Sequence, residues 1–206
     1  MTLARALLAA LALSLMSGCA GLLGGATTPL DAFDLRAPQV PVASRTTGRS
    51  LVIETPDAGG ALNTDRIMIR PNPLQAQYLP GVRWTADAPL MLQTVMLRAF
   101  EDTNALRYVG RRPLGGLGDV VLVSELTDLQ AEIGPEGAVT TRMRLTARFV
   151  RESDAAVLSS RSFQAVVPVA STDTMDVVAG LNAASDAVID EMVRWVLGQI
   201  GVRPTS

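Results

Sequence analysis

Residues 140–150 read TTRMRLTARFV, and this stretch decides the fold. Met143, Leu145, Ala147 and Phe149 alternate with Arg142, Arg144, Thr146 and Arg148. Side chains of a strand point to opposite faces in turn, so this period of two describes a strand with one apolar and one polar face. The segments on either side follow suit. Val120 to Leu129 is rich in β-formers, and Leu158 to Val167 places Arg161, Phe163, Ala165 and Val167 on one parity. Gly134-Pro-Glu-Gly137 and Ser153-Asp154 mark the turns between the three. Connections this short predict an antiparallel meander.

Outward from the meander the period changes. From Thr174 to Ile200, Val177, Leu181, Ala184, Val188, Met192 and Trp195 recur at helical spacing and predict a long amphipathic helix. A second helix is expected from Ala88 to Thr103, with Asp87 as N-cap, Pro89 in the first turn, and Leu92, Val95, Met96, Ala99 and Phe100 on one side. Shorter extended pieces are expected at Phe33–Leu35, Leu51–Ile53, Asp65–Arg70, Gln77–Trp84 and Arg107–Val109, with loops at Ala37–Gly48 and Arg112–Asp119. In Asp65–Arg70, Ile67 and Ile69 are read on one face, Arg66, Met68 and Arg70 on the other, with Pro71 and Pro73 ending the strand. Strands, helix, strands and helix predict an α+β domain: a single, mostly antiparallel sheet with two long helices packed on one face.

The chain starts with Arg5, an unbroken apolar run from Ala6 to Met16, then Ser17-Gly18-Cys19. A basic start, an apolar stretch of this length and small residues at the cut describe an export signal. The run is about half the ~20 residues needed to span a bilayer. Met16-Ser-Gly-Cys19 resembles the lipobox of bacterial lipoproteins, although leucine is more usual where Met16 stands. The resemblance implies cleavage before Cys19 and acylation of that cysteine. It divides the chain into a signal peptide (1–18), an anchor and Gly-rich tether (19–32), a domain (33–200) and a short tail (201–206). Ala20, rather than aspartate, follows the cysteine. By analogy this favours the periplasmic face of the outer membrane over the inner membrane.

Two absences narrow the chemistry. The chain has no histidine and no lysine, and its single cysteine is the expected anchor. Ser-His-Asp and Cys-His nucleophiles, Schiff-base lysines and His/Cys metal sites are thereby excluded. No catalytic residue, cofactor or metal site is assigned. Without Arg5, seventeen arginines face twenty acidic residues, a net charge of −3. That balance speaks against general nucleic-acid binding, which requires a cationic excess.

The candidate contact residues are Arg142, Arg144 and Arg148, on one face of the central strand, with Arg111-Arg112 expected near them. They form either a surface for acidic headgroups or a partner protein, or a solvated face that uses arginine because lysine is absent. Leu114-Gly-Gly-Leu-Gly118 lacks the lysine of a phosphate loop and reads as a flexible loop. Asp186, Asp190 and Glu191 read as a solvated helix face. Tyr78 and Trp84 suit either a partner anchor or core packing.

Taken in order, the lipobox, Phe33-Asp-Leu35, Leu51-Val-Ile53, Asp65-Arg-Ile67, Tyr78, Trp84, the helix starting near Pro89-Leu90 and the closing strands and helix resemble the ABC-type transport auxiliary lipoproteins. The resemblance covers roughly Phe33 to Leu197, with Phe33 where tyrosine is expected. It implies a non-catalytic, lipid-anchored subunit that binds an MCE-domain protein and its ABC permease and ATPase in lipid transport, and couples them to the outer membrane. Homo-oligomerisation stays open. The rival reading is an envelope assembly or scaffold lipoprotein unrelated to lipid traffic.

Overall fold

The computed structural model describes residues 29–115 and 118–203. Residues 1–28, with Cys19 and most of its expected tether, Gly116-Leu117 of the glycine loop and residues 204–206 lie outside the described residues, whereas Asp31 and Ala32 of the expected tether belong to the first strand. From Asp31 onward the described chain forms one compact unit, of which Pro29 and Leu30 are not part.

The elements run β1 (Asp31–Phe33), β2 (Thr47–Ile53), β3 (Asp57–Ala58), β4 (Met68–Asn72), β5 (Gln75–Tyr78), β6 (Val82–Trp84), α1 (Ala88–Asp102), β7 (Leu106–Gly110), β8 (Val120–Ile133), β9 (Val139–Arg151), β10 (Ala156–Val169) and α2 (Thr174–Gln199). The fold is α+β, and the expected meander is its frame: β8, β9 and β10 pair antiparallel along almost their whole length. The 14-residue β8 is the spine. Its other edge receives three short strands end to end, all parallel to it: β2 at Leu122, β3 at Leu126 and β4 at Gln130. β7 adds to β2, also parallel, after the α1 crossover that parallel neighbours require. The long pairings are therefore antiparallel and the short ones parallel, except for β4 with β5, which is short and antiparallel. A separate two-stranded pair, β1 with β6, is parallel as well.

Both helices lie on one face of the large sheet. Register aligns Ile53 with Leu122, Leu122 with Phe149, and Leu145 with Phe163, and all of these are buried beneath the helices. Trp195 of α2 meets the edges of Phe149 and Phe163 at centroid distances of 6.3 and 5.5 Å. Helix α2 comes close at Gly180, where a Cβ would stand 2.3 Å from Val169 Cγ1 and 2.8 Å from Thr141 Oγ1. Glycine is needed there for proximity, not for backbone freedom.

Several local expectations change. Strand β4 starts at Met68 and carries Pro71 inside it rather than ending there. Proline has no N–H to donate, and the pairing of β4 with β5 slips between Ile69 and Asn72. Ile67, Met68 and Ile69 are all buried, so alternation does not sort the faces of this piece. Asp87 occupies the N-cap of α1 without a side-chain cap bond; the Ala88 N–H is instead bound by the Thr64 carbonyl at 3.0 Å. Strand β2 starts inside the expected loop, at Thr47.

The start of the domain is fastened at several points. The Asp31 N–H donates to the Gly81 carbonyl, Leu35 is buried, and the Arg36 N–H donates to Asn182 Oδ1 at 2.9 Å. At the far end, Val202 is buried and the Arg203 carbonyl accepts from the Ser44 N–H.

Candidate functional site

The face of the meander that the helices leave open carries the second parity of β9. Register sets Gln130 beside Arg142, Asp128 beside Arg144 and Val123 beside Arg148 on β8, with Val166, Gln164 and Ser160 opposite on β10. The three predicted arginines are thus brought together on one face, with Arg144 and Arg148 exposed and Arg142 half-buried.

Their surroundings differ. Arg142 donates from Nε and Nη2 to the two oxygens of Glu132 at 2.9 and 3.1 Å, the two-pronged geometry that suits guanidinium and carboxylate. The Arg142 hydrogen bonds hold the Glu132 carboxyl below its ordinary value, against the opposing effect of burial, with help from Gln130. Gln130, buried on this face, donates from Nε2 to both Asp128 and Glu132. The side chains of Arg144 and Arg148 make no hydrogen bond or ion pair among the described residues. Their only fixed neighbours are strands.

A row of acids runs beside the row of arginines: Glu125, Asp128 and Glu132 on β8. The face is therefore striped rather than uniformly cationic, which suits a protein surface of complementary stripes better than a plain anionic layer. At its end Arg70, Glu132, Ile133, Pro135 and Thr140 line a groove of about 570 Å³.

Other sequence candidates resolve into structure. Arg111 does not join the arginine row: its guanidinium is turned to α1, donating to Gln93 Oε1 and Thr94 Oγ1. Trp84 is buried in the core, and Tyr78 donates to the Ala61 carbonyl while the Arg66 guanidinium stacks over its ring. On α2, Asp190 pairs with Arg194, Glu191 with Arg161, and Asp186 accepts from Asn182. Burial raises the Asp186 carboxyl above its ordinary value, offset in part by the Asn182 bond. Among the described residues no group of acids is arranged to hold a metal, and no helix is long and apolar enough to cross a membrane.

Sequence reasoning missed Glu132 and Gln130 as partners of Arg142, because the β-rich pattern of β8 runs only to Leu129. A register shift between Leu126 and Asp128 is the reason. Core positions change there from Leu122 and Leu126 to Leu129 and Ala131, so the alternation breaks off while the strand continues.

Comparison with known proteins agrees with the fold and supplies the family. A crystal structure of a Xanthomonas campestris protein of family DUF330 superposes with a TM-score of 0.74 at 26% identity, over 82% of this chain and 98% of that one. A second crystal structure, of an uncharacterised protein, gives a TM-score of 0.62 at 14% identity over 81% and 98% of the two chains. Among curated proteins none matches. The family described as the ABC-type transport auxiliary lipoprotein component matches residues 33–193, from the first strand to the last turns of α2. With its fold, order of elements and most of its length matched, this chain belongs to the ABC-type transport auxiliary lipoprotein component family.

Proposed function

We propose that the protein is a non-catalytic auxiliary subunit of an MCE-type lipid transport system, held to the periplasmic face of the outer membrane by acylated Cys19. Its open sheet face docks the MCE-domain partner, and its anchor couples that partner and the ABC permease and ATPase to the membrane. The observation that carries this reading is the pair Arg144 and Arg148, aligned on one strand face with no carboxylate bound to either among the described residues. An arginine held at a fixed pitch and left unneutralised is suited to forked contacts with a partner's carboxylates. The neighbouring acids make the same surface selective, because a partner must match both stripes. The family supplies the setting of an ABC transporter and a lipoprotein. The absence of histidine and lysine from the whole chain supports a binding role over a catalytic one.

The test is capture of the MCE-domain protein from detergent extracts by the full-length lipoprotein. Arg144→Ser with Arg148→Ser should weaken capture while the thermal melt stays unchanged, and added salt should weaken it further. Arg142 is left intact in this variant because Glu132 depends on it. Undiminished capture by the double variant would return the two arginines to a solvated face. Capture of no MCE protein, where a control complex survives, would leave the envelope scaffold reading in place.

A further inference from the structure

The main run of the large sheet ends in β10 on one side and β7 on the other, while β5 lies off this run, paired with β4. Strand β7 pairs on one side only, with β2, and α1 runs alongside it. Between them lies a groove of about 590 Å³, lined on the helix side by Thr94, Leu97, Arg98 and Glu101 and on the strand side by Tyr108 to Arg112, with the Tyr108 hydroxyl donating to the Arg112 carbonyl. An exposed sheet edge beside a helix is a geometry that accepts an added strand: backbone groups give affinity, and the helix reads every second side chain.

The charges of the groove say which strand. Arg98, Arg111 and Arg112 face a single lining acid, Glu101. This cationic surplus sits on a chain whose net charge is −2. The side chains of Arg98 and Arg112 have no hydrogen bond or ion pair among the described residues. Arg111 is fixed but not neutralised. It donates only to the uncharged Gln93 and Thr94, and Gln93 is itself buried and tied through Nε2 to the Ile53 carbonyl at 2.8 Å. A guanidinium positioned by a buried amide and left without an anion is prepared for one. The groove also offers apolar contact, from Leu97 and Val109, and from the exposed Leu90 one turn before Thr94.

The chain ends outside the described residues do not answer this charge, since neither residues 1–28 nor 204–206 contain an aspartate or glutamate. We propose that the α1–β7 groove is a second docking site, which takes an extended acidic segment of a partner protein by strand addition to β7. Carboxylates two residues apart on the added strand face α1 together and meet Arg98 and Arg111. This site lies on the helix-covered side of the sheet, apart from Arg144 and Arg148, and does not depend on their docking role.

The probe is the fluorescein-labelled heptapeptide Thr-Val-Glu-Val-Glu-Val-Thr, titrated by anisotropy into the domain. Two companion peptides have both glutamates replaced by glutamine, or the central valine replaced by proline. The acidic peptide should bind, and the glutamine peptide should bind about tenfold more weakly, having lost charge-assisted contacts. The proline peptide should also fail, because it lacks a ladder donor. Arg98→Ser, at an exposed position, should weaken binding about tenfold, whereas Arg144→Ser should leave it unchanged. On the bound domain the alternate amides of Arg107–Gly110 that point away from β2 should become protected from hydrogen exchange. Several results would overturn the proposal: no binding at about 1 mM peptide, equal binding of the proline peptide, or loss of binding in Arg144→Ser alone. Capture of vesicles of anionic phospholipid through Arg98 and Arg112, without peptide binding, would assign the groove to a membrane surface instead.

Discussion

Strand β9 has two faces made by one backbone. On one, Met143, Leu145, Ala147 and Phe149 are wholly buried beneath α2. On the other, Arg142, Arg144 and Arg148 stand on an open sheet, and only the first is tied to a carboxylate. Neighbours in sequence thus belong to different problems. The inward residues are held by packing, where a lost methylene is felt. The outward ones can change with little effect on stability, so this face can vary while the fold persists.

The contrast is sharpest where the core is largest. Phe149→Ala and Phe163→Ala should each cost about 3–5 kcal/mol in a denaturant titration, since each leaves a cavity against Trp195. A cost under about 1 kcal/mol would break the register that aligns Leu122 with Phe149 and Leu145 with Phe163. Gly180→Ala tests how closely α2 approaches the inward face. Overpacking against Val169 and Thr141 should outweigh the better helix propensity of alanine, leaving a net loss of about 1–2 kcal/mol.

On the open face the expected effects are smaller and follow pH. Arg142→Ala should cost about 1 kcal/mol, because the pair it breaks is partly exposed. Glu132 has a lowered carboxyl value in the fold, so its contribution is present above the unfolded carboxylate range and is lost as pH falls through the lowered folded value. The Arg142→Ala variant should therefore differ least from the parent in acid. Asp186 on α2 has the opposite sign: its raised value means stability that is full below the unfolded carboxyl value and lost as pH rises through the folded one. Asp186→Asn should keep the Asn182 bond and raise the neutral-pH melting point slightly, with no gain in acid. Last, Arg148→Ala should stay within about 0.5 kcal/mol of the parent. A larger loss would show that the open face is structural after all.

Legibility followed the same division. Strand β9 and helix α2 each put one clean apolar face against a polar one, and a single period identifies such elements. The piece Asp65–Arg70 also alternates, but the alternation set Met68 on the polar side wrongly, because Ile67, Met68 and Ile69 are all covered. The parallel order of β2, β3 and β4 along β8 was equally hidden. It arises from which strand a segment reaches after a loop, and short local patterns do not encode that. The arginines of β9 were legible as a group, but their fates were not. Glu132 neutralises Arg142 and leaves Arg144 free only because the shift after Leu126 sets β8 one step out of phase. Arg98 stayed unread because on a helix it looks like any solvated residue, and only the position of β7 gives it a neighbour.

The parallel pairing of β1 with β6 bears on mechanics. With Cys19 as the proposed anchor, the leash from that residue to Asp31 reaches at most about 40 Å. A pull from that anchor would enter the domain at Asp31, the first residue of β1. Loaded lengthwise, the bonds between β1 and its neighbours must shear together, whereas a strand peeled sideways gives way one bond at a time. Behind them the buried Leu35 and the Arg36–Asn182 hydrogen bond form a second catch, passing tension into the long helix α2 rather than into the sheet edge. These two contacts make the entrance a strain relief: a load on Asp31 meets the buried Leu35 and the helix before it meets the long strands.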